Sequence, residues 1–310
     1  MYRLTSLFAL RTQRCAAAMV VGLLVGASGS VPARAEVTLS ADLGVSARQD
    51  EFTWNIADSD GNPNVLSELT WRDVQTNEVV VNVEAEERRV MFLGRVSYGD
   101  IGGGELQDSD YNRNDRQGEF SRSSSAASGD NREAEALFGY RLGTDAWSFI
   151  PLLGYSVQAQ NLQITDGRSI IPATGNIDGL NSSYDTRWKS WIAGVDVRHS
   201  WREKWRGAVQ LHRLWADYEA EADWNLVDDF AHPLSFRQTD RGDGYRIEAH
   251  IERRMSRHWG VALGYAYQTL ATDDGVDTAF YANGTFETTA LNGVDWTYRR
   301  VMIALTGSFN

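Results

Sequence analysis

The sequence has no apolar run long enough to cross a membrane as a helix. Its longest apolar stretch, Ala16 to Gly26, has about half of the roughly 20 residues that a spanning helix needs. Cysteine occurs once, as Cys15, and proline five times in 310 residues. These absences exclude a helical membrane protein, a fold held together by disulfides, and a cysteine metal site.

Residues 1–35 have the features of a secretory signal peptide. Three arginines precede the apolar run, and small residues ending at Ala35 supply an A-x-A cleavage site. We therefore predict that the mature chain begins near Glu36, that Cys15 is removed with the signal, and that residues 36–310 form one domain. An exported chain without a spanning helix can enter a membrane only as a β-barrel.

The stretch from Tyr245 to Met255 alternates two kinds of side chain. Its odd positions are apolar apart from Arg253, whereas every even position is ionisable. A soluble sheet with one solvated face could also carry this pattern. The export signal favours a transmembrane barrel, in which the odd face meets lipid and the even face lines a polar interior. The residues expected to pair inside it are Arg246, Glu248, His250, Glu252 and Arg254.

Short turns and long polar loops alternate between the predicted strands, which is typical of bacterial outer-membrane barrels. The sequence therefore predicts an all-β fold, a ten-stranded antiparallel transmembrane β-barrel with short periplasmic turns and long extracellular loops. The predicted strands are 37–47, 65–86, 89–99, 132–143, 147–164, 187–201, 204–219, 236–255, 258–272 and 295–309. The predicted loops are 48–64, 100–131, 165–186, 220–235 and 273–294.

Aromatic residues lie toward both ends of the predicted strands, where they are expected to form two interfacial girdles. The girdle beside the short turns comprises Trp147, Trp201, Trp205 and Trp259. The girdle toward the long loops comprises Tyr98, Trp188, Trp215, Tyr245, Trp296 and Tyr298. A barrel of ten strands is narrow, because about eight strands already enclose a lumen filled by side chains. We expect paired charges to plug the lumen, with His212 and His250 in structural roles.

The predicted mature chain is acidic, with 26 basic and 42 acidic residues and a net charge of −16. This balance argues against a nucleic-acid partner and favours cationic ligands, although acidic loops also serve solubility. Nothing in the sequence indicates a metal site or a bound cofactor.

Three segments carry a resemblance to the omptins, the ten-stranded outer-membrane proteases. Residues 67–72, Ser-Glu-Leu-Thr-Trp-Arg, are similar to the family's Ser-x-Leu-x-Trp-Lys segment. Residues 103–111 resemble its Gly-Gly-x-x-x-Asp-x-Asp-Trp segment, and residues 184–189 resemble its Tyr-x-x-Arg-Phe-Lys segment. The likeness extends over nearly the whole mature chain and identifies it as a distant relative.

The resemblance implies a catalytic site at the extracellular rim, where an aspartate pair faces an Asp-x-His and a water is activated by general-base catalysis. Asp108 and Asp110 match the aspartate pair. The matching positions on the other side are Ala222 and Trp224, or, after a slip of one residue, Asp223 and Asn225. Neither alignment supplies a histidine. His232, seven residues beyond Asn225, is the weak candidate for a replacement base.

Three functional hypotheses follow from this incomplete site. The first is a non-catalytic omptin-like barrel that uses its acidic extracellular loops to bind a host protein, a cationic peptide or a neighbouring cell. The second is a divergent endopeptidase that retains Asp108 and Asp110 with a non-standard base. The third is a small gated channel, which a filled lumen disfavours.

A lipid site is also implied by the resemblance. Arg187 matches an arginine with which omptins bind lipopolysaccharide phosphates, and Lys189 shares its face of the predicted strand. Both positions are expected to face outward just below a long loop, where a cation is tolerated near the interface. Lipopolysaccharide is therefore an expected structural lipid, and the alternative is a pair of interfacial cations without a specific lipid.

Overall fold

The structure is a computed structural model that describes residues 37–144 and 146–309. The predicted signal peptide at 1–35, with Cys15, lies outside these residues. Within them, no helix is both long and apolar enough to span a membrane. The described strands are β1 (Val37–Ile56), β2 (Ser67–Glu87), β3 (Val90–Arg113), β4 (Gln117–Tyr140), β5 (Leu142–Gly143), β6 (Trp147–Ile171), β7 (Gly175–Asn176), β8 (Ser182–Trp201), β9 (Trp205–Asp223), β10 (Phe236–Arg254), β11 (Trp259–Thr272), β12 (Gly275–Phe280) and β13 (Phe286–Phe309).

Ten long strands of the described chain form one closed antiparallel ring. Their order around the ring is β1-β2-β3-β4-β6-β8-β9-β10-β11-β13, and β13 pairs with β1 to close it. The short β12 pairs with both β10 and β13 beyond the end of β11. Closure satisfies every strand edge, as a sheet surrounded by lipid requires. The predicted ten-stranded antiparallel barrel is confirmed.

The barrel has two different ends. The short-turn end carries the connections after β2, β4, β8 and β10 together with the start of β1 and the end of β13. The hairpin end carries the remaining connections. Several of them continue as paired strands well beyond the part of the barrel whose outward-facing residues are apolar, which we call the apolar band. In bacterial outer-membrane barrels the short turns face the periplasm.

The strands reach further toward the hairpin end than the sequence predicted. Most of the predicted loop 100–131 is a β-hairpin, because β3 continues to Arg113 and β4 begins at Gln117. Predicted loops 48–64, 165–186 and 273–294 likewise contain strand residues. The prediction of these as loops was wrong because backbone pairing continues where the outward face is no longer apolar.

Side-chain polarity reverses along the strands. In the half of β1 near the short-turn end, outward Leu43 and Val45 are more than half exposed, as lipid-facing residues are in an isolated barrel. Toward the hairpin end of the same strand, inward Phe52 and Trp54 are buried, and the outward positions between and before them are polar. In the first half of the strand the outward face suits contact with lipid. In the second half the outward face suits contact with water, and the inward face forms an apolar core.

A network of paired charges crosses the lumen within the apolar band. Arg246 on β10 is fully buried and contacts Glu133 at 3.2 Å, Glu248 at 2.8 Å and Glu135. Arg300 on β13 donates to Glu133 at 3.0 Å. Because β4 and β10 are on different sides of the ring, these ion pairs tie opposite walls together. His212, as expected, is part of this network, since its Nδ1 lies 3.0 Å from the Arg246 guanidinium.

A layer of aromatic side chains closes the lumen on the hairpin side of this network. The rings of Trp71 on β2 and Tyr184 on β8 have centroids 4.9 Å apart, so they meet across the barrel. Trp188 contacts Tyr218 at 4.5 Å and Trp296 at 5.7 Å between ring centroids. This aromatic layer comprises Phe52, Trp54, Trp71, Tyr184, Trp188, Tyr218, Trp296 and Tyr298.

The predicted girdle near the long loops needs correction. Trp188, Trp296 and Tyr298 are each 1% exposed and face the lumen, so they belong to the aromatic layer. Trp215 and Tyr245 are 49% and 45% exposed and face outward. The assignment failed because it used height along the strand and not the parity of each position.

We expect the substitution Arg246→Met to destabilise the barrel by about 3–5 kcal/mol, because it removes the cation paired with buried Glu135 and one of the cations paired with each of two other buried carboxylates. Urea unfolding of the refolded protein in phospholipid vesicles measures this change. The control is Arg241→Gln, since the Arg241 side chain is 89% exposed and its pair with Asp217 at 3.2 Å is at the surface. That change should cost about 0–1 kcal/mol. Equal effects of the two substitutions would contradict a central role for the network.

Candidate functional site

Asp108 and Asp110 lie near the hairpin end of β3 and continue its inward alternation from buried Leu106. Asp108 is directly opposite Leu69 on β2, and the next inward pair is Leu106 with Trp71. Asp108 therefore occupies the next inward-facing position beyond the aromatic layer, toward the hairpin end. The expected position within a loop was wrong, since both residues belong to a strand, but both carboxylates face the barrel mouth.

The Asp108 carboxylate is in an environment that disfavours its charge. Its Oδ1 atom is buried and has no hydrogen-bond partner among the described residues. Burial, followed by the charge of Asp110, raises the pKa of Asp108 to about 8. Burial also raises the pKa of Asp110, while hydrogen bonds from Ser67 and Ser121 act in the opposite direction. The pair can therefore hold a proton near neutral pH.

The other sequence-predicted residues lie on the connection between β9 and β10. In the ten-strand ring, β10 is diametrically opposite β3, so this connection is across the mouth from the aspartate pair. His232 Nδ1 is 2.6 Å from Asp223 Oδ1, which makes an Asp-His pair from residues nine positions apart. Asp223 continues the outward alternation of Glu219 and Glu221. The pair therefore lies on the outer side of the wall, away from the inward-facing Asp108.

Asn225 has a structural set of contacts. Its amide nitrogen donates to the carbonyl of Gly179 at 2.9 Å, and its Oδ1 accepts from the Asn181 backbone at 2.9 Å and from the Ser182 hydroxyl at 3.0 Å. These bonds fasten the segment before β8 to the end of β9. With both amide atoms occupied, Asn225 is not free to orient a water in the barrel mouth.

The floor below the aspartate pair contains polar groups that the sequence did not single out. The hydroxyls of Tyr184 and Tyr218 are 2.5 Å apart, and Tyr184 also donates to Gln238 at 2.6 Å. Burial raises the pKa of nearby Asp277 to about 6, although a hydrogen bond from Gln238 lowers it. The reversed alternation of β8 and β9, with aromatic residues at inward positions, is the signal that could have identified these tyrosines.

Arg187 and Lys189 face outward on β8, above the apolar band. The Lys189 ammonium is 3.7 Å from Glu219. Both side chains line an outer cavity of about 580 Å³ together with Asp217, Asp240 and other acidic residues. Among the described residues, Arg187 forms no ion pair. One cation of the proposed lipid pair is therefore already partly neutralised.

The described residues contain no group of three or more histidine, cysteine, aspartate or glutamate side chains arranged to hold a metal ion. The aspartate pair and the Asp-His pair are two separate arrangements, each with two titratable groups.

Comparison with known proteins assigns the chain to a protein family. The family model described as Pom, Protochlamydia outer membrane protein, matches residues 42–309, almost the whole described barrel. The chain belongs to the Pom family. It is therefore a bacterial outer-membrane protein. No curated protein matches the sequence significantly.

Solved structures relate this Pom-family barrel to the omptin fold. The outer membrane protease OmpT from Escherichia coli is 11% identical, with a TM-score of 0.75 over 88% of this chain and 97% of that chain. The translocator domain of the autotransporter NalP from Neisseria meningitidis is 10% identical over 94% of this chain and 93% of that chain, with a TM-score of 0.38. The OmpT likeness confirms the omptin-like fold, and at this identity it shows the fold alone.

The raised pKa of Asp108 predicts a pH-dependent stability. Between about pH 4 and pH 8 the folded protein retains a proton that the unfolded chain has released, so stability should fall as pH rises through this window. Asp108→Asn removes that titration and should stabilise the barrel more at pH 8 than at pH 5, by at least about 1 kcal/mol. Urea titrations at both pH values measure the difference. Asp178→Asn, in an exposed loop, is the control and should give no such difference.

Proposed function

We propose that this Pom-family barrel is a non-catalytic surface protein that binds a cationic peptide or protein at its hairpin end, with Asp108 and Asp110 as the central anionic groups. The hairpin end is assigned to the cell exterior because the short turns of such barrels face the periplasm. The ligand supplies a lysine or arginine side chain that enters the barrel mouth.

One observation carries this proposal: two inward carboxylates stand at the mouth without a cation. Among the described residues neither Asp108 nor Asp110 forms an ion pair, and Asp108 Oδ1 is buried without a partner. The aromatic layer beneath them is largely buried and apolar, and a less polar surrounding strengthens an ion pair formed there. The net charge of −16 predicted for the mature chain also favours a cationic ligand.

The positions of the histidines disfavour an omptin-type peptidase. General-base catalysis requires a base within hydrogen-bond reach of the attacking water. Among the described residues, His232 is the histidine at the hairpin end, and it is bonded to Asp223 on the outer side of the wall. His212 lies within the charge network beside Arg246. An endopeptidase using Asp108, Asp110 and His232 is the alternative outcome of the experiment below.

The layers of side chains that cross the lumen disfavour a channel. Two successive layers cross the lumen, first the charge network around Arg246 and then the aromatic layer. Rings in contact across the barrel, such as Trp71 and Tyr184, obstruct passage between the two ends. A channel would require both layers to rearrange.

The binding proposal predicts that a peptide with paired arginines binds the refolded barrel, whereas the same peptide with glutamines does not. Affinity should increase from pH 7 to pH 9, because the cation binds best when Asp108 has lost its proton. Asp108→Asn with Asp110→Asn should weaken binding by roughly tenfold or more, as expected for loss of a charge-assisted contact. Fluorescence anisotropy measures affinity, and mass spectrometry of the same samples reports cleavage.

Two outcomes would overturn the proposal. Binding that is unchanged in the double variant would remove Asp108 and Asp110 from the site. Cleavage between the arginines that disappears in both Asp108→Asn and His232→Ala would establish the peptidase alternative. A matched control is Asp178→Asn, which removes an exposed carboxylate elsewhere in the hairpin half.

We further propose that Arg187 and Lys189 contact lipopolysaccharide phosphate at the outer leaflet. Arg187, which has no ion pair among the described residues, should provide the stronger contact, because a guanidinium binds phosphate in a bidentate manner. The Lys189 ammonium is already paired with the Glu219 carboxylate at 3.7 Å, so its contact with phosphate should be weaker.

The double substitution Arg187→Ala with Lys189→Ala should weaken lipopolysaccharide binding by roughly tenfold while the barrel still folds. Calorimetry at one fixed ionic strength measures the affinity, because salt screens such contacts. The control is Arg237→Ala, another outward cation, which is paired with Glu221 at 2.6 Å. Unchanged affinity in the double variant would support cations at the interface without a specific lipid.

A further inference from the structure

An apolar groove of about 470 Å³ lies on the outward face near the short-turn end. Its floor is formed where two small residues, Gly207 on β9 and Ala249 on β10, replace the large side chains usual on the lipid face. Trp201 borders one side, and Ile251 and Tyr265 border the other. A Cβ atom added at Gly207 would lie 3.0 Å from the Trp201 ring, so glycine at this position keeps the groove open.

One wall of the groove is a column of stacked rings. Trp147 and His199 have ring centroids 4.1 Å apart, His199 and Trp201 are 5.6 Å apart, and Trp201 and Trp205 are 6.4 Å apart. His199 Nδ1 is 2.7 Å from the carbonyl of Ala146, which makes Nδ1 the donor and fixes the ring. The wall is therefore held by its own contacts, and the groove exists before any ligand enters.

A cation stands at the end of the groove nearest the short turns. Arg253 faces outward on β10, two residues beyond the groove residue Ile251, and its guanidinium is 5.5 Å from the centroid of the Trp205 ring. It is exposed and forms no ion pair among the described residues. Arg253 lies at the level expected for the interface between the membrane and the periplasm, where an arginine over an aromatic ring can reach lipid head groups.

We propose that this groove binds one anionic phospholipid of the periplasmic leaflet, with an acyl chain along Gly207 and Ala249 and the head-group phosphate on Arg253. An apolar groove that ends at an unpaired guanidinium matches an amphiphile with a phosphate at one end. A second copy of this barrel fits less well, because its own short-turn face would have to bring an anion to Arg253 from an apolar and aromatic surface.

The test uses refolded mature protein in vesicles of phosphatidylethanolamine with a small fraction of phosphatidylglycerol. After mild detergent extraction, native mass spectrometry identifies the lipid that remains bound. The wild type should retain one phosphatidylglycerol in preference to phosphatidylethanolamine. Arg253→Gln should reduce that preference by roughly tenfold, as loss of a charge-assisted phosphate contact predicts.

A second set of variants tests the apolar part of the site. Gly207→Leu should abolish lipid retention, and Ala249→Leu should do so by filling the floor from the neighbouring strand. Gly307→Leu is the matched control, because a Cβ there would lie 3.1 Å from the Phe309 ring, in a comparable aromatic setting outside the groove. Arg299→Gln is the control for loss of an outward arginine. Heat-modifiable migration on gels confirms that each variant folds.

The proposal is overturned if both lipids are retained equally in wild type and Arg253→Gln, since that would indicate nonspecific surrounding lipid only. A dimer mass that disappears in Gly207→Leu would instead assign the groove to a second copy of the chain. Loss of phosphatidylglycerol in Gly307→Leu or Arg299→Gln would also overturn it, because these residues lie outside the groove.

Discussion

The reversal of side-chain polarity along each strand is the constraint on which the rest of this barrel depends. Within the apolar band, the outward face must be apolar, and the polar side chains have to satisfy one another inside. Arg246 and its carboxylates do this at the cost of desolvation, which only close pairing offsets. Beyond the band, water lies outside the barrel, and the lumen can become an ordinary apolar core. Phe52, Trp71 and Tyr184 form that core, because large aromatic rings are needed to meet across the lumen of a ten-stranded barrel.

This reversal explains which parts of the fold the sequence could predict. Alternation is easy to recognise in a strand such as β10, where Ile247 and Ile251 face lipid and Arg246 faces inward. It predicted the strand number and the short turns correctly. It failed at 100–131, where the outward positions are polar and the inward apolar residues are sparse, so the segment resembled a loop. The same neglect of inward apolar positions assigned Trp188 and Trp296 to the membrane interface.

The candidate site was predictable in part. The motif around Asp108 and Asp110 indicated their end of the barrel, because a local sequence motif can be recognised without knowing where the strand ends. The contact between His232 and Asp223 could not be deduced, since it depends on how the connection between β9 and β10 folds back over nine residues. The orientation of that pair follows from strand parity, which the alignment to a two-residue motif did not use.

The inward or outward orientation of each strand residue also explains why an omptin-like fold does not by itself provide an omptin-type catalytic site. An omptin-like ring with a TM-score of 0.75 to OmpT brings β3 and β10 to opposite walls, so any catalytic site across the mouth needs inward groups on both. Here one wall presents inward carboxylates, while the titratable pair on the other wall faces outward, and Tyr184 and Tyr218 occupy the floor between them. The buried Oδ1 of Asp108 has no hydrogen-bond partner among the described residues. Either a proton or a cation can neutralise this carboxylate, so the proposed binding of a cation would compete with protonation, and its affinity would depend on pH.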